Sequence, residues 1–269
     1  MLLPMRSTIA DYWRRESPLG LMLDYDGTLT PIVPDPTQAF LPPAGWELLL
    51  KLCRHPWIRV AIVSGRSVSQ LRFFLSALTG EAITLCGLHG GEIYVPQKDH
   101  FLRQPNREQL QQQLQPLREK VIAQLTAANL LNSGIFLEDK TYSLAVHYRQ
   151  VEASVKPQII ELLYGLFTHD TELTAPFKLQ PGKEVLEVLP RTFDKGDCVV
   201  FLWDFWQLRQ GCYIGDDVTD EAAFVAVNQR GGLTIAVGKT PGTTQAQHIC
   251  SEVGDVYREL AALASQSKS

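Results

Sequence analysis

Along this chain, unbroken apolar runs alternate with stretches in which apolar residues return every three or four positions, a pattern that predicts β-strands interleaved with amphipathic helices. LGLMLD at 19–24 and IRVAIVS at 58–64 are apolar at nearly every position, as strands buried on both faces of a sheet would be. AGWELLLKLC, near 44–54, predicts a helix between them, SVSQLRFFLSAL at 67–78 predicts another, and ITLCGLHGGEIYV adds β-structure at 83–95. The Leu/Phe stripe of LRFFLSAL reads as core packing.

The character changes near Pro105. NREQLQQQLQPLREKVIAQLTAAN predicts a polar, Gln-rich helix, and GIFLEDKTYSLAVHYRQ two short runs of alternating polarity. A second helix is expected around 152–168, followed by the β-like runs FKLQPG and KEVLEVLP. That order of helix, two strands, helix, two strands predicts a small α/β insert. Alternation then resumes, with DKGDCVVFLWDFWQL and TDEAAFVAVN as helices, GCYIG and LTIAV as strands, and VYRELAALAS as a closing helix. The expected fold class is α/β: a Rossmann-like parallel-sheet core with helices on both faces (1–103 and 190–269), plus a smaller inserted α/β domain (104–189).

Composition narrows the function classes. In 269 residues, 45% hydrophobic, 9% aromatic and 20% charged positions describe a soluble globular protein without long disorder. A net charge of −4 gives neither a basic footprint for nucleic acid nor a polybasic patch for a membrane. The five cysteines, Cys53, Cys86, Cys198, Cys212 and Cys250, are scattered without a C-x-x-C pair, so neither a disulfide framework nor a zinc site is signalled. MLLPMRSTIADYWRRE has too short an apolar start for a signal sequence and no small-residue cleavage site, so a cytoplasmic location is expected. GGLTIAVGKT is not a P-loop: five residues separate Gly232 from Gly238, and an apolar strand fills the interval.

In open α/β sheets ligands bind beyond the carboxyl ends of the strands. Four polar groups stand at such places: Asp24 and Asp26 after the first strand, Ser64-Gly65-Arg66 after the second, Asp194-Lys195-Gly196 opening a helix, and Gly215-Asp216-Asp217 after the strand at 211–214. Two carboxylates as close as Asp24 and Asp26 resist joint ionisation unless a cation lies between them. Oxygen ligands suit a hard divalent ion such as Mg²⁺, and Lys195 with Ser64 would then neutralise a phosphoryl group. Asp24 could attack phosphorus, and Asp26 could protonate the leaving alcohol and later deprotonate water.

In order, DYDGTLT, VSGRS, DKG and GDDVTDE resemble the four motifs of the haloacid dehalogenase superfamily of phosphohydrolases, with the insert in the position of that superfamily's second type of cap. DYDGTLTPIV, GLHGGE at 87–92, LEDK at 137–140 continuing to AVHYRQ, and GKEVLEVLP at 182–190 resemble the trehalose-6-phosphate phosphatase family. The resemblance implies Mg²⁺-dependent hydrolysis of trehalose 6-phosphate through an aspartyl phosphate, the last step of trehalose biosynthesis. It implies Asp24 as nucleophile, Asp26 as general acid/base, and Ser64 and Lys195 as phosphate binders. Asp24, the backbone carbonyl of Asp26 and Asp216 would hold Mg²⁺, supported by Asp217 and Asp220. Sugar-reading residues would be Glu138 and Lys140 in the cap, Lys183 and Glu187 in the returning strand, and Arg66 and His89 on the core side. A monomer is expected, with association with a trehalose-6-phosphate synthase left open.

Blander roles compete at each position. A lone D-x-D-G-T is an ordinary turn, Ser64 and Asp216 suit helix caps, and Asp217 and Asp220 suit the first turn of a helix. Glu138/Lys140 and Lys183/Glu187 suit cross-strand ion pairs, and His147 suits a structural role. The competing functions are a phosphatase of another sugar phosphate (sucrose phosphate, glucosylglycerol phosphate or mannosylglycerate phosphate), a phosphosugar mutase, and a non-catalytic regulatory module.

Overall fold

A short helix, α1 (Thr8–Tyr12), leads into β1 (Leu19–Leu23), α2 (Pro43–Arg54), β2 (Ile58–Val63), α3 (Val68–Phe74), β3 (Ile83–Gly87), β4 (Glu92–Val95) and β5 (His100–Arg103). The central segment carries α4 (Arg107–Ala127), β6 (Phe136–Asp139), β7 (Leu144–His147), α5 (Lys156–His169), α6 (Thr171–Thr174), β8 (Phe177–Gly182) and β9 (Val185–Pro190). The chain ends with α7 (Lys195–Phe205), β10 (Gln210–Gly215), α8 (Glu221–Gln229), β11 (Leu233–Val237), β12 (His248–Cys250) and α9 (Val253–Ala264). This computed structural model describes residues 8–14, 16–78, 80–140, 142–182, 184–238 and 243–266. The chain divides into two units, Met1–Gln104 with Asp194–Ser269, and Pro105–Phe193.

The first unit is built on an eight-stranded sheet in the order β12-β11-β10-β1-β2-β3-β4-β5. Strands β12 to β3 run parallel, whereas β4 and β5 are antiparallel additions at one edge. The sheet is therefore mixed rather than purely parallel. Alternate residues of each parallel strand feed two cores. Leu19, Leu21 and Leu23 join Leu49, Leu52, Leu71 and Leu260 on the side of α2, α3 and α9. Met22, Val63, Tyr213 and Ala236 join Val199, Leu202 and Phe224 on the side of α7 and α8. Burial on both faces explains why these strands read as continuous apolar runs.

The expected β-structure at 83–95 is broken by a turn at Leu88–Gly90, where three successive residues take positive φ: Leu88 (53°), His89 (54°) and Gly90 (92°). Glycine adopts that conformation readily, but Leu88 and His89 do so under strain. Two bonds hold the turn, from Leu88 N to the Arg66 carbonyl (2.8 Å) and from His89 N to the Ser64 carbonyl (2.9 Å). The helix expected over 67–78 is likewise shorter: α3 begins after Ser67, whose hydroxyl caps the Gln70 amide, and gives way to a 3-10 turn at Ser76–Leu78.

The second unit is a four-stranded antiparallel sheet, β6-β7-β9-β8, with α4 and α5 packed on one face. Leu144, Val146, Leu186, Val188 and Phe177 point to these helices and meet Leu114, Leu117, Val121, Ile159 and Leu163. The boundary falls after Phe193, so residues 190–193 go with this unit and not with the core segment that the sequence pattern assigned them to. The Arg191 amide donates to the Pro176 carbonyl (2.9 Å), its Nε donates to the Ala175 carbonyl (3.0 Å), and the Phe193 ring meets Tyr142 edge-on at 6.4 Å. Among the described residues no helix is long and apolar enough to cross a membrane.

Candidate active site

Asp24 is the first residue beyond β1, and its amide extends the ladder by donating to the Ile214 carbonyl of β10 (2.9 Å). Lys195, the first residue of α7, donates from Nζ to Asp24 Oδ1 (2.9 Å) and Asp220 Oδ1 (2.7 Å). All three side chains are buried. Asp220 Oδ1 also accepts from the Tyr213 hydroxyl (2.6 Å), and its Oδ2 accepts from the amides of Asp216 (3.0 Å) and Asp217 (2.9 Å). Both Asp220 oxygens are therefore committed, and the residue acts as a bracket between Lys195 and the loop that carries Asp216. Tyr213 escaped the sequence reading because a tyrosine inside an apolar strand looks like core; its position two residues before Gly215 was the available signal.

Gly27 closes the other side of this cluster with φ +83°. A Cβ there would lie 2.1 Å from Asp216 Oδ2, so glycine is required both by the backbone and by the approach of the carboxylate.

Oxygens of Asp24, Asp216 and Asp220 all lie within 4.8 Å of one another. Burial, followed by the charges of Asp220 and Asp216, pushes the Asp24 carboxyl upward by more than the Lys195 ammonium pulls it down. Lys195 is held protonated because Asp220 and Asp24 outweigh its own desolvation. One ammonium among three buried carboxylates leaves negative charge uncompensated, and the donors are all hard oxygens. These residues fit a hard divalent cation of the Mg²⁺ type.

Ser64 follows β2, is 2% exposed, and its amide donates to the Cys86 carbonyl (2.9 Å). Its Oγ accepts from the Arg66 amide (3.2 Å). The Arg66 guanidinium forms a fork with Asp26, Nε to Oδ2 and Nη2 to Oδ1, both at 2.6 Å. The structure thus brings Arg66 onto the second aspartate. The His89 ring lies over Gly65, where a Cβ would come within 2.9 Å of its Cε1 and Nε2. Glu92, within the GLHGGE stretch, is buried and accepts from the Val68 amide at the start of α3 (2.8 Å). It pins that helix where the Ser64–Arg66 loop enters it.

In the second unit, cross-strand register places Glu138 opposite Ala145, and Ala145 opposite Glu187, on the face turned away from the helices. Lys140 Nζ reaches Glu187 Oε1 (3.3 Å) and Glu138 Oε2 (3.8 Å). Ser143 Oγ donates to Glu187 Oε1 (2.6 Å), and His147 Nε2 stands 2.9 Å from Glu138 Oε2. The hydrogen bond to His147, and next the charge of Lys140, hold the Glu138 carboxyl below the usual glutamate range despite its burial. His147 therefore belongs to the polar face and not to the core. Ser143 had no sequence signal beyond its closeness to LEDK. Lys183 lies outside the described residues.

The trehalose-phosphatase family model matches residues 22–252 of the chain. Trehalose-phosphate phosphatase B of Arabidopsis thaliana is 32% identical over 253 residues, which cover 90% of this chain and 65% of that protein. Trehalose-6-phosphate phosphatase of Escherichia coli K12 is 32% identical over 250 residues, covering 91% of this chain and 87% of that protein. A solved structure of Aspergillus fumigatus trehalose-6-phosphate phosphatase aligns at 25% identity over 93% of each chain with a TM-score of 0.65. A match that runs from the end of β1 to the threshold of α9 takes in both aspartate loops, Lys195 and the whole central unit: the chain belongs to the trehalose-phosphatase family.

Proposed function

We propose that this protein hydrolyses trehalose 6-phosphate to trehalose and phosphate with Mg²⁺ as cofactor. The observation that carries the reading is the buried cluster in which Lys195 joins Asp24 to Asp220 beside Asp216. Lys195 occupies Asp24 Oδ1, and Asp24 Oδ2 carries no hydrogen bond among the described residues, so one oxygen is available for attack on phosphorus. As the new oxygen–phosphorus bond forms, the bond from phosphorus to the sugar oxygen breaks and Asp26 gives that oxygen a proton. Water then attacks the aspartyl phosphate, Asp26 takes its proton, and phosphate leaves with Asp24 restored. Ser64 Oγ and the Lys195 ammonium hold phosphoryl oxygens through both steps. Asp24, Asp216 and the Asp26 carbonyl would hold the ion, which would supply Lewis-acid neutralisation of phosphoryl charge.

The sugar is assigned to the second unit. Glu138, Lys140 and Glu187 share one sheet face, and a row of carboxylate and ammonium groups suits hydroxyls that both donate and accept. Lys183, and His89 beside the Ser64 loop, complete the proposed substrate set. The reading divides labour between a catalytic core (Met1–Gln104 with Asp194–Ser269) and a specificity-giving cap (Pro105–Phe193). Five free, buried cysteines suit a reducing compartment such as the cytoplasm.

The covalent step is tested by acid-quenching the enzyme during turnover and mapping the phosphoryl group by mass spectrometry. Label on the peptide containing Asp24, and a loss of turnover of at least about a thousandfold in Asp24→Asn with the fold retained, are the expected results. An active Asp24→Asn enzyme would rule the covalent route out.

A further inference from the structure

The Arg66 guanidinium is anchored before any substrate arrives. Its Nη2 donates to the Pro36 carbonyl (2.9 Å) as well as to Asp26, and its carbon lies 4.5 Å from the Phe74 ring centroid and 5.6 Å from that of Tyr25. Its side chain is 10% exposed, whereas the Asp26 side chain that it grips is 33% exposed. We propose that Arg66 is a positioning residue for proton transfer at Asp26, and not a contact to the sugar. The inference rests on the phosphatase reading above.

A half-exposed carboxylate rotates about two side-chain bonds, yet proton transfer requires it to stand within hydrogen-bond reach of the leaving oxygen in the transition state. The fork removes that freedom, because two parallel N–H···O bonds fix the carboxylate plane as well as its position. An ionised carboxylate offers about four lone-pair sites and the fork uses two, so an oxygen remains able to carry the shuttled proton. A sugar contact by Arg66 would have to divide a guanidinium already committed to Asp26 and Pro36. Arginine is required for this task, since lysine supplies charge without a planar fork.

The test compares wild type, Arg66→Lys and Arg66→Met on trehalose 6-phosphate and on phenyl phosphates whose leaving phenols run from strongly to weakly acidic, each also in an Asp26→Asn background. The p-nitrophenolate group departs without a proton, and poorer leaving groups need one. If Arg66 positions the acid, both variants lose little kcat/KM on the p-nitrophenyl ester and progressively more along the series, to about 10²–10³-fold on phenyl phosphate. Once Asp26 is asparagine, the same Arg66 changes cost less than about threefold. A loss equal across the series, a loss that adds in full to that of Asp26→Asn, or a loss confined to KM for sugar esters would overturn the proposal. Should Arg66→Met fail to fold, Arg66→Lys carries the same comparison. A wild-type chain that releases phosphate from none of these esters would overturn the phosphatase reading itself, an outcome distinct from a failure at Arg66 alone.

Discussion

Lys195 satisfies two carboxylates at once, and neither has a second ammonium to turn to among the described residues. Lys195→Met strands those charges in a buried site and is expected to cost about 3–5 kcal/mol in urea unfolding with EDTA present. Gly27→Ala combines a strained φ with a collision at Asp216; it should lower phosphatase activity at least about tenfold and weaken Mg²⁺ binding measured by calorimetry. Glu92 gives a pH-dependent prediction. Burial raises its carboxyl above the usual glutamate range, more than the Val68 amide lowers it. A carboxyl raised in the folded protein favours folding at acid pH, and that contribution fades as the pH climbs from the unfolded value through the folded one. Glu92→Gln keeps an acceptor for Val68 and removes the slope, so its urea midpoint should gain on wild type as the pH rises. Glu92→Ala loses the acceptor and should cost about 1–3 kcal/mol at every pH. Asp24, Asp26, Ser64, Arg66 and Lys195 stood out in the sequence because each follows an apolar run or opens a helix, whereas their pairing did not, since a contact across 40 residues, as between Asp26 and Arg66, leaves no local pattern.

Elements buried on both faces were the ones most legible in the sequence. β1, β2, β10 and β11 announce themselves as apolar runs because two helical layers cover them, and β7 and β9 by the alternation that one covered face imposes. β5 and β12 are short, partly exposed edge strands, so HFLR and HIC offer neither pattern. The break at Leu88–Gly90 was hidden because two of its three left-handed residues are Leu and His, which carry no turn signal. In α4, Pro116 interrupts the hydrogen-bond ladder of a 21-residue helix. Pro116→Ala returns the missing amide hydrogen and should raise the stability of that helix's unit by about 1–3 kcal/mol, read as a higher midpoint in thermal unfolding.

At the scale of the whole molecule, every residue assigned to the chemistry lies in the first unit, and Glu138, Lys140 and Glu187 lie in the second, which has a hydrophobic core of its own. An α/β alternation interrupted and then resumed leaves a mark in the sequence, whereas the contacts that tie Arg191 and Phe193 to the second unit leave none, because they run through backbone carbonyls and one ring. If selection and chemistry are separable, Glu138→Gln and Glu187→Gln should lower kcat/KM for trehalose 6-phosphate about 10- to 100-fold while changing p-nitrophenyl phosphate turnover less than about twofold. The most direct measurement of the central claim is phosphate release from trehalose 6-phosphate with Mg²⁺ and with EDTA, beside glucose 6-phosphate and sucrose 6-phosphate at equal concentration. Rapid release from the trehalose ester that EDTA abolishes, well above that from the other two, is the expected result. Equal rates on all three esters, or a rate on the trehalose ester that EDTA leaves intact, would contradict it.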